Sequence, residues 1–308
     1  MAAETRLAAS DFVQPLFVRK GKGVRRPVAS MPGVEQLSPD TAVEELRRCR
    51  DAGVRSYILF GVLDQADKDP RGDCAHDPDG PVPVTIKRAK DAGIEMLAIT
   101  DLCYCEYTSH GHCGILTGDA ETVDNDLTAP RLGAQAVMHA QAGADVVAPS
   151  GMMDGGVAAI RSALDAAGFR NTAILAYAVK YASGLYGPFR DAAESPPSFG
   201  DRRAYQMDFR TGTREALREA LADVAQGADM VMVKPGTLYL DVIRAVREAV
   251  GVPVAAYHVS GEYAMLKAAA ANGWVDEDRV LLETMHAFKR AGAGVVLTYY
   301  ARKLAEML

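Results

Sequence analysis

Residues 91–100 read DAGIEMLAIT: a glycine closes a helical pattern, and a short apolar run follows without alternation. The phrase returns, varied, as DAGVRSYILFGV (51–62), QAGADVVAPS (141–150), AQGADMVMVKP (225–235) and RAGAGVVLTYY (290–300). Glycine suits the left-handed position that ends a helix. An apolar run that does not alternate reads as a strand buried on both faces, as in a parallel sheet. FVQPLFV (12–18), AILAYAV (173–179) and VPVAAYHV (252–259) fit the same description, which gives eight predicted strands. Helical patterns separate them. SPDTAVEELRRCRDAG (38–53) opens on Ser38-Pro39 and carries Ala42, Val43 and Leu46. TREALREALADVAQG (213–227) places Leu217, Leu221 and Val224 on one face, and EDRVLLETMHAFKRAG (277–292) repeats the design. Eight strands alternating with helices predict a (β/α)8 barrel, with a doubly wound open sheet as the competing arrangement. No composition break divides residues 12–308, which read as one domain behind a short arm, residues 1–11. Residues 64–83 and 186–210 read as long loops, the kind that cover or line binding sites.

The 308 residues are 49% hydrophobic and 24% charged, enough for a large core without covalent staples. A net charge of -6 argues against a general nucleic-acid binder. No apolar run reaches the roughly 18 residues a membrane span needs. The opening MAAETRLAASDFVQ lacks the apolar stretch of an export signal, so the expected location is the reducing cytoplasm. Five cysteines there read as metal ligands or free thiols rather than disulfides.

In a barrel, the chemistry follows the C-terminal ends of the strands. The third run ends in Asp101, the fifth in Lys180, the sixth in Lys234, the seventh in YHVSGEY (257–263) and the eighth in Tyr299-Tyr300. A lysine among apolar walls and near another cation loses proton affinity, and its neutral amine can attack a ketone to form a Schiff base. The plainer reading is two lysines reaching to solvent from the barrel rim. Beside Asp101, the stretch DLCYCEYTSHGHCGIL (101–116) gathers Cys103, Cys105 and Cys113, with His110 and His112 between them. Soft thiolates favour zinc. Four protein ligands would close a structural site, whereas three would leave an open catalytic position. Spacing alone does not choose, and buried or redox-active thiols compete. Cys49 and Cys74 read as free thiols. The loop GLYGPFRDAAESPPSFGDRRAYQ (184–206) carries Arg190, Arg202 and Arg203, whose guanidinium forks suit an anionic substrate, although a solvated loop would carry them too.

Together with PLFV (15–18), SMPGV (30–34), LFGV (59–62), VVAPSGMMDG (146–155), YGPFRDAA (186–193), GDRRAYQ (200–206), MVKPG (232–236), YHVSGEYAML (257–266) and TYY (298–300), these segments resemble the porphobilinogen synthase (5-aminolaevulinate dehydratase) family over nearly the whole chain. The resemblance implies a TIM barrel with an N-terminal arm, and a lyase of haem and porphyrin (tetrapyrrole) biosynthesis. Such an enzyme condenses two 5-aminolaevulinate molecules into porphobilinogen with loss of two waters. It implies Lys234 as the Schiff-base lysine of one substrate and Lys180 as that of the other, with Asp101 assisting proton transfers. Cys103, Cys105 and Cys113 match the zinc ligands of the zinc-dependent subgroup. Arg190 and Arg203 match the residues that hold one substrate carboxylate, Ser260 and Tyr299 those that hold the other, and Glu219 an allosteric magnesium ligand between subunits. Gly151, Gly156 and Ala178 depart from the family pattern. The arm, only eleven residues here, is also shorter than the family's, so the expected assembly is a dimer-based homo-oligomer rather than a firm octamer, with a weakened magnesium role. A Schiff-base aldolase-like lyase on the same barrel and a non-catalytic barrel with a structural zinc are the alternatives.

Overall fold

Each of the eight apolar runs forms a strand in the computed structural model, which describes residues 2–119 and 122–308. The strands are β1 (Phe12–Arg19), β2 (Arg25–Pro27), β3 (Glu35–Leu37), β4 (Ser56–Val62), β5 (Leu97–Leu102), β6 (Val146–Pro149), β7 (Ala173–Lys180), β8 (Met230–Lys234), β9 (Val254–His258) and β10 (Val295–Thr298). The helices are α1 (Pro39–Ala52), α2 (Pro81–Asp91), α3 (Asn125–Ala142), α4 (Gly156–Ala166), α5 (Gly187–Ala192), α6 (Thr213–Ala225), α7 (Leu240–Ala249), α8 (Ser260–Ala271), α9 (Glu277–Ala291) and α10 (Ala301–Met307). From β1 through β4 to β10 all neighbours run parallel, and β10 returns to β1 with Phe12 opposite Val296. The sheet is therefore a closed (β/α)8 barrel, and the open-sheet alternative is excluded. Closure removes every edge from the eight parallel strands. β4 is buried along its whole length, as an apolar run without alternation requires.

The glycines of the repeated phrase behave as read. Gly53, Gly93, Gly143, Gly227 and Gly292 all take positive φ after their helices. Two short strands were not foreseen. β3 pairs with the C-terminal half of β1, Phe17 opposite Gln36, and β2 folds back on β3. This small ribbon extends the mouth of the barrel. The loops also hold more order than expected: short helical turns at Gln65–Asp67 and Asp73–His76, and α5 inside 186–210.

The predicted face of α6 is corrected. Its buried residues are Ala216 and Ala220, Leu217 and Val224 only flank them, and Leu221 is 48% exposed. The buried stripe is turned by one residue, so that small side chains meet the barrel. The N-terminal residues lie against their own barrel: Leu7 packs on the core, Thr5 pairs with His286 at 3.0 Å, and Asp11 with Lys289 at 3.1 Å. Among the described residues, no helix is long and apolar enough to cross a membrane.

The α6 correction is open to test by denaturant titration. Ala220→Leu should cost about 1–3 kcal/mol by overpacking, while Leu221→Gln should stay within about 0.5 kcal/mol. The reverse order would restore the leucine face.

Candidate active site

The C-terminal ends of β5, β7 and β8 bring Asp101, Lys180 and Lys234 to one small cavity, which Phe60, Cys105, Ser150, Tyr186, Phe189, Arg190 and Arg202 complete. An irregularity in β7 makes this possible. The pairing with β8 shifts by one residue between Ala176 and Val179, after which Lys180 lies directly opposite Lys234. One extra residue in a strand of period two re-aims the side chains beyond it.

Lys234 is 6% exposed and enclosed by rings: its Nζ lies 4.4 Å from the centroid of Tyr257, 4.9 Å from Tyr177, 5.1 Å from Phe189 and 5.4 Å from Tyr186. Ring faces attract an ammonium, yet burial and the charge of Lys180 outweigh them. The amine is pulled down to about 7, against the opposing pull of Asp101. Lys180 donates to the Ser150 carbonyl at 2.5 Å. Asp101 is pushed up to about 6 by burial, while Lys180 and Lys234 work against the shift. Its Oδ2 accepts from the Ser150 hydroxyl at 3.0 Å, and its buried Oδ1 has no partner among the described residues. A carboxyl poised near neutrality thus stands beside a neutral-prone amine, the pairing that proton transfer at neutral pH requires.

Cys103, Cys105 and Cys113 are all buried, and their sulfurs lie within 4.8 Å of one another, Cys103 and Cys105 at 3.4 Å. Zinc–sulfur bonds of about 2.3 Å at tetrahedral angles set sulfurs roughly 3.8 Å apart, so the trio fits such an ion. Hydrogen bonds from Cys103 and Cys105 hold Cys113 well below the usual thiol range, with Arg202 and Lys180 adding to the effect. Neither histidine completes a fourth ligand. His112 pairs with the Tyr205 hydroxyl at 3.0 Å and the Phe199 carbonyl at 3.2 Å, while His110 pairs with the Pro70 carbonyl at 3.1 Å and takes the His112 N–H at 3.1 Å. Among the described residues, these three thiols are the only group of three or more His, Cys, Asp or Glu side chains close enough to share a metal ion. The donor set is open on the side of the lysines, since Cys105 lines their cavity.

The loop that ends β7 closes over this floor. Arg190 reaches the cavity, with its buried Nε unpartnered among the described residues. Arg203 does not reach it. Its side chain is 76% exposed and pairs with Asp201 at 3.4 Å. The adjacent Arg202 is the arginine turned inward, donating to the carbonyls of Gly111 at 2.8 Å and Ser195 at 2.9 Å. In GDRRAYQ the two arginines are chemically identical, and only the turn decides which faces inward. Ser260 is buried but engaged with the loop backbone, accepting from Phe189 N–H at 3.0 Å and donating to the Leu185 carbonyl at 3.3 Å. Tyr299 meets the Tyr257 hydroxyl at 3.2 Å, one ring removed from Lys234. Tyr177, Tyr257 and Phe60 were missed from the sequence because aromatic residues in apolar runs read as ordinary core, and Tyr186 and Phe189 because their loop was read for its arginines.

Glu219 lies elsewhere, paired with Arg218 at 3.3 Å, on a cleft shared with Asp154 and Asp223. Gly151, Gly156 and Ala178 all line that same cleft. Asp223 is pushed up to about 7 by burial, then by Glu219 and Asp154.

Fold and site define the class: a (β/α)8 barrel equipped for amine–carbonyl chemistry beside a trio of buried cysteines. The chain belongs to the delta-aminolevulinic acid dehydratase family, whose model matches residues 1–307. It is 55% identical to the delta-aminolevulinic acid dehydratase of Synechococcus elongatus and 52% to that of Synechocystis, in each case over all of this chain and 94% of the relative. It is also similar to the Toxoplasma gondii enzyme, solved in complex with the reaction product porphobilinogen. The TM-score there is 0.97 and the identity 44%, over all of this chain and 87% of that one.

The arginine correction carries its own test. Arg202→Ala strips two carbonyls of a buried charged donor and should destabilise by about 2–3 kcal/mol, whereas Arg203→Ala should stay within about 0.5 kcal/mol. Equal losses in denaturant titration would refute the inward placement of Arg202.

Proposed function

We propose that this chain condenses two molecules of 5-aminolaevulinate into porphobilinogen with loss of two waters, residues 12–308 acting as one catalytic barrel. The observation that carries the reading is the placement of Lys180 and Lys234 opposite one another, with Lys234 near neutrality. Family membership and the porphobilinogen held by the Toxoplasma relative support the substrate and product.

In this reading the neutral amine of Lys234 adds to the ketone of one substrate, and the carbonyl oxygen leaves as water to give an imine. Lys180 does the same with the second. A carbon–carbon and a carbon–nitrogen bond then join the substrates and return both lysines as amines, so the two waters account for the whole loss. Asp101, which lines the same cavity as both amines, holds and passes the protons. Arg190 and Arg202 offer guanidinium groups to a substrate carboxylate; Arg203 is set aside. Ser260 and Tyr299 reach the second carboxylate only if the loop and Tyr257 release them. The closed cavity, about 20 Å³, holds little more than one water, so the loop must lift to admit a keto acid.

Cys103, Cys105 and Cys113 would hold zinc, which when bound supplies a Lewis acid beside the reacting carbonyl. Cytoplasmic reducing conditions suit that trio. At Glu219 the cleft forms no compact ligand set among the described residues, so magnesium there would be loosely held. Exposed Trp274, Leu238 and Met265 support a homo-oligomer.

The deciding experiment incubates purified protein with 5-aminolaevulinate and assays for a pyrrole, with and without a chelator; no pyrrole under any condition overturns the reading. Borohydride with substrate should trap an adduct on Lys234, at a rate that rises with pH through about 7 as the ammonium gives up its proton. A rate indifferent to pH from 5 to 9, or an adduct on neither lysine, would remove the neutral-amine step. Zinc should bind at about one per chain, and Cys113→Ala should lose it together with most activity; metal analysis and turnover of metal-free protein check both.

A further inference from the structure

Tyr104 is the residue between the first two thiols of the trio, and while the sulfurs on either side converge to 3.4 Å, its own ring packs against His76 and Arg131. Whatever grips that side chain sets the aim of both sulfurs. Tyr104 is fully buried, and it is gripped from several sides. Its hydroxyl lies 2.8 Å from Nε2 of His76. The Arg131 guanidinium lies over its ring at 5.5 Å, itself tied to Asp73 at 2.5 Å and to the Arg71 carbonyl at 3.2 Å. Gly72 presses on the ring edge: with φ +62, a Cβ there would come within 2.7 Å of Tyr104 Cδ1. The Tyr104 carbonyl accepts from the N–H groups of Tyr107 and Thr108, at 2.9 and 2.8 Å, which starts the turn leading to Cys113.

The grip comes from α3, through Arg131, and from a loop that lies outside the lysine cavity. Residues 65–76 run alongside the thiol segment and bind it at further points: the Asp69 carbonyl accepts from Ser109 N–H at 3.0 Å, Pro70 meets His110 at 3.1 Å, and the Cys74 thiol points to the Tyr107 carbonyl at 3.5 Å. Those contacts place the backbone of the segment. The contacts of His76, Arg131 and Gly72 with Tyr104 instead reach the side chain between two of the sulfurs.

We propose that Tyr104, held by His76 and Arg131, is a positioning residue that presets Cys103 and Cys105 for the metal. This rests on the reading that the trio holds zinc. Groups behind the ligands commonly change metal affinity by about 10–100-fold when removed, because a free segment must be ordered at the moment of binding.

Zinc affinity, measured by competition with a chromophoric chelator, tests this in Tyr104→Phe, His76→Ala and the double variant. Tyr104→Phe keeps the ring and its packing and removes only the hydroxyl's hydrogen bond, so thermal unfolding of the zinc-free protein should fall by a few degrees at most while zinc binds about 10-fold more weakly. His76→Ala should show a similar loss, and the double variant no more than the larger single loss, since both remove one contact. At saturating zinc, kcat and KM should return to wild-type values. Unchanged affinity in Tyr104→Phe, losses that multiply in the double variant, or a kcat that excess zinc does not restore would each overturn the proposal. Cys113→Ala separates the two readings: if wild type and this variant bind zinc alike, the metal reading itself fails and this one with it.

Discussion

Lys234 has to keep an amine neutral inside a protein, and the only inexpensive way to do that is to deny its ammonium water. The eight-stranded barrel supplies the place. Its strands are buried on both faces, so a side chain at the inner end of β8 meets rings rather than solvent. The favourable field of those rings is overruled by desolvation, and the amine comes down to about 7. The one-residue shift in β7 then sets Lys180 opposite, where its charge pushes the same way. Asp101 pulls in the other direction, which keeps the amine from falling further and leaves the acid itself near 6.

This arrangement costs stability. An unfolded lysine keeps its proton up to about pH 10.4, whereas Lys234 in the native chain releases it near 7. Between those limits the unfolded lysine binds the proton that the native one has released, so the contribution of Lys234 to stability rises with pH across that window and is least favourable at and below neutrality. At about 1.4 kcal/mol per pH unit, the burden near pH 7 is on the order of 5 kcal/mol. Only a large core can carry that, which is a physical reason to find such a lysine in a closed barrel.

How far the sequence could be read follows from the same physics. The eight strands were legible because strands covered on both faces cannot alternate, and the glycines because a left-handed cap excludes most other residues. The positions of the lysines and Asp101 were legible from the strand ends, and the grouping of the thiols from their closeness in the chain, whereas spacing alone did not decide what the thiols hold. What failed depended on one-residue rotations that no period records. Among these are the shift in β7, the turn of the α6 stripe from Leu221 to Ala216 and Ala220, and the choice of Arg202 over Arg203. β2 and β3 were missed because three residues of RRP or EQL hold no pattern; their pairing is set by β1.

Arg202 shows why such a rotation matters. Its guanidinium joins Gly111, in the thiol segment, to Ser195, in the loop that covers the lysines. Gly111 also has positive φ and lies so close to the Pro196 carbonyl that no Cβ would fit between them. Ser198 N–H donates to the His110 carbonyl at 2.9 Å along the same seam. Thiol segment and covering loop are therefore one surface, zipped by backbone contacts and one buried cation. That cation stabilises the Cys113 thiolate as well. A metal held by the three thiols would order the edge against which the loop lies, and the loop in turn holds the Arg202 charge beside the Cys113 thiol. Thiol segment and cover thus stabilise one another across Arg202, which Arg203, facing solvent, could not do.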